Sequence, residues 1–280
     1  MDQEIRLKKL LDAFKRDSAD YKDLVVEDNI DDERRALRSL MNIRMPGELS
    51  EDVIELQDEY LQERAREKGI VTLEDIPTIK ELYGSSAAHA DVISVWQGDI
   101  TRLKAGAIVN AANSQMLGCF VPMHTCIDNC IHTFAGIQLR NDCNRYMARM
   151  RAIKGAGYEE PTGQAFVTKG YNLPAEYVIH TVGPIVQYEV TKELEQDLKN
   201  CYKNCLDAAY EKGIRSIAFC CISTGVFHYP NDMAAKVAVD TVNEWIDAQP
   251  DAMDRVIFNV FKDVDLELYE RVLKCRTCIV

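Results

Sequence analysis

The sequence predicts an α/β protein in which helices cover both faces of a mostly parallel β-sheet, with a smaller helical unit in front of it. Two observations support this fold. From residue 91 onward, short continuous apolar runs alternate with longer segments of helical periodicity, which is the pattern of buried parallel strands joined by helical crossovers. Before residue 85, apolar residues recur only at helical spacing.

The helical unit is predicted to take residues 1–85. One apolar stripe lies within residues 5–14 and another within residues 53–61, and each recurs at the three- or four-residue interval of a helix that buries one face. The small and polar residues at 84–88 are expected to form a joint. The α/β unit then extends over residues 91–275.

Within the α/β unit, six apolar runs are strand candidates: 92–96, 106–110, 164–168, 177–182, 216–222 and 255–261. Helices are expected between or after them, near 130–150, 191–212, 231–248 and 264–274. In sheets of this kind, ligands bind beyond the carboxyl ends of the strands. The residues that directly follow each strand are therefore the ones most expected to carry chemistry.

Composition excludes several classes of protein. The chain of 280 residues carries 45 acidic and 33 basic side chains, so its net charge of −12 argues against a nucleic-acid partner. No apolar run approaches the roughly 18 residues of a membrane span, and the charged start lacks the apolar stretch of a signal peptide. We therefore expect a cytoplasmic protein. Its ten cysteines fall below the density of a disulfide-stabilised scaffold.

Three strand ends carry polar or flexible residues. Asp99 can accept a hydrogen bond from an amine such as that of adenine, but it can equally be an N-cap or turn residue. Asn113 suits a pair of sugar hydroxyls, although asparagine is also common in turns. The segment 222–227 contains Gly225, which lets backbone approach a ligand closely, so successive N–H groups there can hold a diphosphate.

The sharpest group of ligand-forming residues is Cys119, His124 and Cys126, which lie within eight residues of one another. Two thiols and one imidazole on a short loop suit zinc, and three protein ligands with one open position are typical of a catalytic ion. Spacing alone leaves a second interpretation open, in which the cysteines are small buried hydrophobes. His180 is assigned no role, and the pair Cys275 and Cys278 is assigned to a frayed C-terminus.

Three of these segments resemble the ADP-ribose-binding segments of macrodomains. They are GDIT at 98–101, VNAAN at 109–113 and ISTGVF at 222–227, in the order found in that family. The block from Gly118 to Arg140 resembles the narrower branch of zinc-dependent macrodomains, which also carries a helical N-terminal extension. The resemblance spans about residues 91–275 and favours zinc over simple packing in the loop at 118–128.

The resemblance implies a three-layer macrodomain fold with a mixed, mostly parallel sheet. It also implies a role for each matching residue. Adenine is contacted by Asp99, with Ile100 beside it, and the distal ribose is held by Asn113. The diphosphate and distal ribose are lined by Ser223, Thr224, Gly225 and Phe227. From the zinc loop, the ligand is reached by Ile127 and Asp128. Cys119, His124 and Cys126 hold one zinc ion per chain, and Asn113 and Asp128 are the implied catalytic residues.

The implied activity is that of a protein ADP-ribosyl hydrolase, which cleaves the ester between ADP-ribose and an Asp or Glu of a mono-ADP-ribosylated protein. Two alternatives use the same residues: deacetylation of O-acetyl-ADP-ribose, and a reader module that binds ADP-ribose without turnover. By family analogy, a sirtuin-like ADP-ribosyl transferase and a lipoylated carrier protein are possible partners. One departure from the wider family is His228, where glycine is usual; we expect it to point to solvent.

Overall fold

A computed structural model describes residues 1–275, and within them the chain forms a single six-stranded sheet. The strands are β1 (Ile93–Gln97), β2 (Ala107–Ala112), β3 (Ala165–Lys169), β4 (Tyr177–Val182), β5 (Ser216–Phe219) and β6 (Arg255–Val260). Their order is β1-β6-β5-β2-β4-β3. All neighbours are parallel except β3 and β4, which pair antiparallel at one edge. The predicted mixed, mostly parallel sheet is confirmed.

Helices form the layers around this sheet. They are α1 (Gln3–Asp17), α2 (Ile30–Ile43), α3 (Glu51–Lys68), α4 (Ile79–Tyr83), α5 (Ile127–Ala135), α6 (Ile137–Lys154), α7 (Lys192–Glu211), α8 (Asn231–Ala248) and α9 (Asp263–Cys275). Helix α5 packs against β2 and α6 against β3. Helix α7 packs against β3 and β4, α9 packs against β1 and β6, and α8 packs against both α7 and α9. None of the helices in the described part of the chain is long and apolar enough to cross a bilayer.

Two elements differ from the sequence prediction. The helix expected near 130–150 is broken by Gly136 into α5 and α6, because that residue has φ +96° and a Cβ there would lie 2.7 Å from the side-chain nitrogen of Gln57. The strand expected to reach residue 222 ends at Phe219. The chain turns there, and Thr224 Oγ1 donates to the carbonyl of Cys221 at 3.0 Å.

The N-terminal helices have an apolar cluster of their own. It includes Leu10 and Phe14 of α1 and Leu37 of α2, and it takes one residue from the α/β unit, Ile137 at the start of α6. Helices α2 and α3 both pack against α5. These helices therefore lie directly beside the loop that precedes α5, which contains the predicted metal ligands. The cysteine pair predicted at the C-terminus extends beyond the described residues.

Candidate active site

The parallel strands bring the predicted site residues to one edge of the sheet. Asp99 follows β1, Asn113 follows β2, and the segment 222–227 follows β5. The metal loop, which we define as residues 118–126, connects this edge to α5, so that Asp128 lies in the first turn of the helix. A long, narrow ligand that runs along this edge can therefore contact all four segments.

In the metal loop, the predicted ligands come together. The Sγ of Cys119 lies 3.6 Å from the Nδ1 of His124, and these two atoms and the Sγ of Cys126 all lie within 4.8 Å of one another. In a tetrahedral zinc site, a sulfur about 2.3 Å and a nitrogen about 2.1 Å from the ion lie roughly 3.5–3.8 Å apart. The donor set and its spacing therefore fit zinc.

Cys126 also begins α5. It is the N-cap residue, and its Sγ accepts a hydrogen bond from the backbone N–H of Asn129 at 3.4 Å. Burial, with a smaller contribution from the nearby Cys119, raises the pKa of the Cys126 thiol to about 12, so without a cation this sulfur carries its proton. A bound metal ion is the charge that would favour the thiolate here.

Asp128 is a buried carboxylate held by two asparagines. Its Oδ1 accepts from the side-chain amide of Asn110 at 2.8 Å, and its Oδ2 accepts from that of Asn113 at 3.1 Å. Burial raises the pKa of Asp128 to about 6, against the lowering effect of these two bonds. His132 lies 3.6 Å from the same carboxylate, but burial lowers its pKa well below the usual value, so the contact is not an ion pair.

Asn113 connects the end of β2 to the metal loop. Its amide nitrogen donates both to Asp128 and, at 3.1 Å, to the carbonyl of Gly118, while its Oδ1 accepts from the backbone N–H of Gln115 at 3.0 Å. Because both amide hydrogens are engaged, only Oδ1, through its remaining lone pair, can accept a hydrogen bond from a ribose hydroxyl. Asn113 thus fixes the orientation of Asp128.

Asp99 has the capping role that its position allows, and it also forms an ion pair. Its side chain caps the short 3-10 helix Ile100–Arg102 by accepting from the N–H of Thr101 at 3.0 Å, which confirms the capping role. The other oxygen lies 2.7 Å from Lys68 Nζ, and this contact lowers the pKa of Asp99 although burial acts in the opposite direction. Ile100 is only 1% exposed, and its side chain belongs to the main apolar core.

The segment after β5 forms an open turn. Ser223 and His228 both have φ near +60°, and no atom lies within 4 Å of a Cβ built on Gly225. Two hydrogen bonds hold the ends of the turn: the N–H of Tyr229 donates to the carbonyl of Ser223, and the N–H of Val186 donates to that of Phe227. His228 is exposed as expected, and its left-handed backbone, with φ +58°, is a conformation that glycine adopts more readily than other residues.

A second set of metal-ligand atoms lies in the interior. His132, Cys143 and His180 are all buried, and their ligand atoms also lie within 4.8 Å of one another. The two ring nitrogens of His180 are already engaged with Asn110 at 3.1 Å and Thr168 at 3.0 Å. Burial lowers the pKa of His180 to about 3 and raises that of Cys143. This cluster could hold a metal, but the partly exposed metal loop fits one better.

Comparison with known proteins identifies the fold and the family. Residues 109–238 match the family model described as the Macro domain. A protein-ADP-ribose hydrolase of Treponema medium is 45% identical over 98% of this chain and 100% of its own length, and one of Staphylococcus aureus (strain MRSA252) is 43% identical over 95% and 94%. This chain belongs to the macrodomain protein-ADP-ribose hydrolases. It is therefore an enzyme, and the interpretation as a reader module is wrong.

The solved structures agree with this hydrolase fold. The Trypanosoma brucei macrodomain in complex with ADP-ribose is 30% identical, with a TM-score of 0.62 over 84% of this chain and 94% of that one. The family model begins at residue 109 and so does not include the N-terminal helices. The contribution of these helices to the hydrolase must therefore be found from their own contacts.

Those contacts reveal functional residues that sequence reasoning missed. Asn129, fully buried in α5, donates through Nδ2 to the carbonyls of Cys119 and Val121 at 3.2 and 3.0 Å. Arg38 of α2 donates through Nη2 to the carbonyl of the ligand His124 at 2.8 Å and to Asn129 Oδ1 at 3.0 Å. The backbone of the metal loop is thus held from both sides.

Two further residues of the N-terminal helices reach the site of this hydrolase. Asn42, one turn after Arg38 on α2, accepts from the N–H of Met123 at 3.0 Å, where the loop takes φ +59°. Lys68, the last residue of α3, binds Asp99 and lies 3.7 Å from the ring centre of Phe134. An arginine and an asparagine four residues apart on a helix that otherwise buries an apolar face are a sequence signal, but not one that identifies their partners.

Proposed function

We propose that this hydrolase removes single ADP-ribose groups from aspartate or glutamate side chains of modified proteins, with one zinc ion per chain. The metal loop carries the proposal, because its three ligand atoms lie within 4.8 Å of one another and the loop leads directly into the helix that bears Asp128. The names of the relatives and the ADP-ribose complex of a related macrodomain support ADP-ribose as the bound group.

In this proposal, ADP-ribose extends along the carboxyl edge of the sheet. Asp99 and the backbone of Ile100 contact adenine. The turn of Ser223, Thr224, Gly225 and Phe227 holds the diphosphate, and the positive end of α8, an 18-residue helix that begins directly after it, adds to the attraction. Backbone N–H groups can meet two negative charges without basic side chains, so the net charge of −12 does not oppose this ligand.

The distal ribose and the ester bond then lie at the metal loop, where Cys119, His124 and Cys126 hold zinc. When bound, zinc can polarise an ester oxygen, orient the ribose hydroxyls or lower the pKa of a bound water to about 7. Asp128 accepts a hydrogen bond or a proton from a ribose hydroxyl or a water. Asn110 and Asn113 keep both of its oxygens oriented, Ile127 forms the adjoining wall, and the fold around them limits access of bulk water.

In this proposal, the two parts of the chain have different roles. The macrodomain, residues 91–275, supplies the ADP-ribose cleft, and the helical extension, residues 1–85, supports the metal loop and Asp99 through Arg38, Asn42 and Lys68. A sirtuin-like transferase and a lipoylated carrier protein, suggested as partners by family analogy, stay predictions.

One assay tests the reaction and the metal together. The purified protein is incubated with a glutamyl-linked mono-ADP-ribosylated protein and, separately, with O-acetyl-ADP-ribose, each with and without a zinc chelator. We expect elemental analysis to give about one zinc per chain, chelation to stop release of ADP-ribose, and added zinc to restore it. Because the ligands must be deprotonated, zinc content should fall as the pH falls.

The outcomes separate the possibilities. If only O-acetyl-ADP-ribose is turned over, the substrate is this small molecule and not a modified protein, and the proposed site residues stay the same. Full activity in a preparation that contains far less than one zinc per chain would contradict the proposed metal.

The adenine contact gives a further prediction. Replacing Asp99 by alanine is expected to weaken the affinity for ADP-ribose by about 10- to 100-fold, because a hydrogen bond to a charged acceptor contributes about 1.5–3 kcal/mol. The measurement is calorimetric titration with ADP-ribose. Asp75→Ala is the matched control, since Asp75 accepts from the N–H of Thr72 at 2.8 Å as a cap of the preceding 3-10 helix. Unchanged affinity in a folded Asp99→Ala protein would leave Asp99 with its capping role alone.

A further inference from the structure

An arginine-lined groove lies beside the metal loop. It has a volume of about 200 Å³ and is enclosed by α2, α3, α5 and the loop. The charged residues that line it are Arg34, Arg35, Arg38 and Arg64. One wall is Met123, which directly precedes the ligand His124, and Arg38 itself donates to the His124 carbonyl at 2.8 Å. The groove therefore borders the metal loop, at whose end of the cleft the ester bond is proposed to lie.

The charge of this groove is opposite to that of the protein. The chain as a whole carries −12, yet the groove has four arginines, two of which, Arg34 and Arg64, share the single partner Glu67. Arg35 is exposed and forms no ion pair with any described residue. The Nε atoms of Arg34 and Arg38 are buried, and no described residue supplies an acceptor for them. The groove thus keeps an excess of positive charge and unused donors.

We propose that this groove binds an acidic segment of the modified protein, adjacent to the ADP-ribosylated residue. This inference rests on the proposed function, since it requires a protein whose modified carboxylate reaches the metal loop. The residues that flank that carboxylate must leave the site past the loop, and the groove is the arginine-rich surface that begins there. Guanidinium groups bind carboxylates through two parallel hydrogen bonds, so aspartates and glutamates are the side chains that this lining favours.

Recognition of this kind explains how an acidic enzyme accepts an acidic substrate. The overall field of the protein repels a segment rich in carboxylates, and a local excess of arginine reverses that repulsion only beside the metal loop. An acidic flank therefore lowers KM without taking part in bond cleavage, whereas a neutral flank leaves kcat unchanged and raises KM.

The test uses the full-length, zinc-loaded enzyme and two peptides of equal length, each with one ADP-ribosylated glutamate. One peptide has aspartates and glutamates on both sides of it, and the other has asparagines and glutamines. The variants are Arg35→Glu and, as matched control, Arg66→Glu, since Arg66 is an exposed arginine of α3 that binds Glu63 and does not line the groove. The measurements are KM, kcat and the Kd of free ADP-ribose.

For the wild type, we expect KM to be about 3- to 10-fold lower with the acidic peptide, the range for exposed charge pairs that act together. Arg35→Glu should remove this preference without changing kcat, the KM of the neutral peptide or the Kd of ADP-ribose. Arg66→Glu should keep it. The preference should shrink as the salt concentration rises from about 50 to 500 mM, because exposed charges are screened.

Equal KM values of Arg35→Glu and Arg66→Glu for the acidic peptide would overturn the proposal. Loss of affinity for ADP-ribose oligomers instead of the acidic peptide would also overturn it, in favour of a nucleotide polyanion. If the wild type releases nothing from either peptide, the proposed function fails. Fluorescence anisotropy of the uncleaved acidic peptide then decides on the groove alone: weaker binding to Arg35→Glu than to the wild type supports it, and equal binding overturns it.

Discussion

Replacing Cys126 by alanine is expected to slow release of ADP-ribose from a glutamyl-linked protein by at least about 100-fold, while most of the affinity for free ADP-ribose remains. The reason is the position of the sulfur, which lies with the Cys119 and His124 ligand atoms at the proposed ribose end of the cleft, in the loop after Asn113. The proposed adenine contact, Asp99, follows a different strand, β1. Metal chemistry at that end supplies several kcal/mol to the transition state, and every 1.36 kcal/mol is tenfold in rate.

Three measurements on the same preparation check this result: release of ADP-ribose, calorimetric affinity and thermal unfolding. Cys130→Ala is the matched control, because Cys130 lies one helical turn further along α5 and is not among the grouped ligand atoms. We expect the control to retain zinc and turnover. If Cys126→Ala lost folding and affinity together, the metal would be structural, since a structural zinc ion contributes its binding energy to folding.

The second large effect is expected at Asp128. An Asp128→Asn variant should slow release by about 100- to 10,000-fold, the range for a group that accepts or donates a proton in the transition state. The new side-chain NH2 cannot accept a hydrogen bond, so it will face the NH2 of either Asn110 or Asn113. Some loss of stability should therefore accompany the loss of rate. Single-turnover release with zinc-saturated protein is the measurement.

Asp58→Asn is the control for replacing a carboxylate by an amide. Asp58 accepts from the side-chain amides of Asn172 and Gln138, each at 2.7 Å, but it lies where α3 meets α6 and not at the metal loop. Both bonds end on its Oδ1, so an amide oxygen can still accept them, and this variant should keep its turnover and lose less thermal stability than Asp128→Asn. Equal turnover in Asp128→Asn and Asp58→Asn would show that Asp128 has no catalytic role and only supports the loop.

Much of the fold and part of the site could be predicted from the sequence. Buried parallel strands are short apolar runs, so all six strands were recognisable, although the antiparallel pairing of β3 with β4 is a tertiary property that a single run does not encode. Cys119, His124 and Cys126 were recognisable as a group because a loop of eight residues keeps its side chains close whatever the rest of the chain does.

The supports of the site could not be predicted, because they depend on contacts between distant parts of the chain. Arg38 lies 86 residues from His124 in sequence, and Asn42 lies 81 residues from Met123. Helical periodicity indicates which face of α2 is buried, but not what the polar residues beside that face will meet. His180, to which the sequence assigned no role, holds Asn110 from a neighbouring strand, and that asparagine in turn holds Asp128.

If the metal loop binds zinc as proposed, the contacts of Arg38 and Asn42 connect two equilibria, zinc binding and the docking of the N-terminal helices. Binding free energies are reciprocal: if docked helices raise the affinity of the loop for zinc, bound zinc must favour docking by the same amount. A chain without zinc therefore exposes the apolar cluster of Leu10, Phe14 and Leu37 more often. Amide hydrogen exchange in α1 and α2 should therefore be faster without zinc, so it reports zinc occupancy from helices that contain none of the ligands.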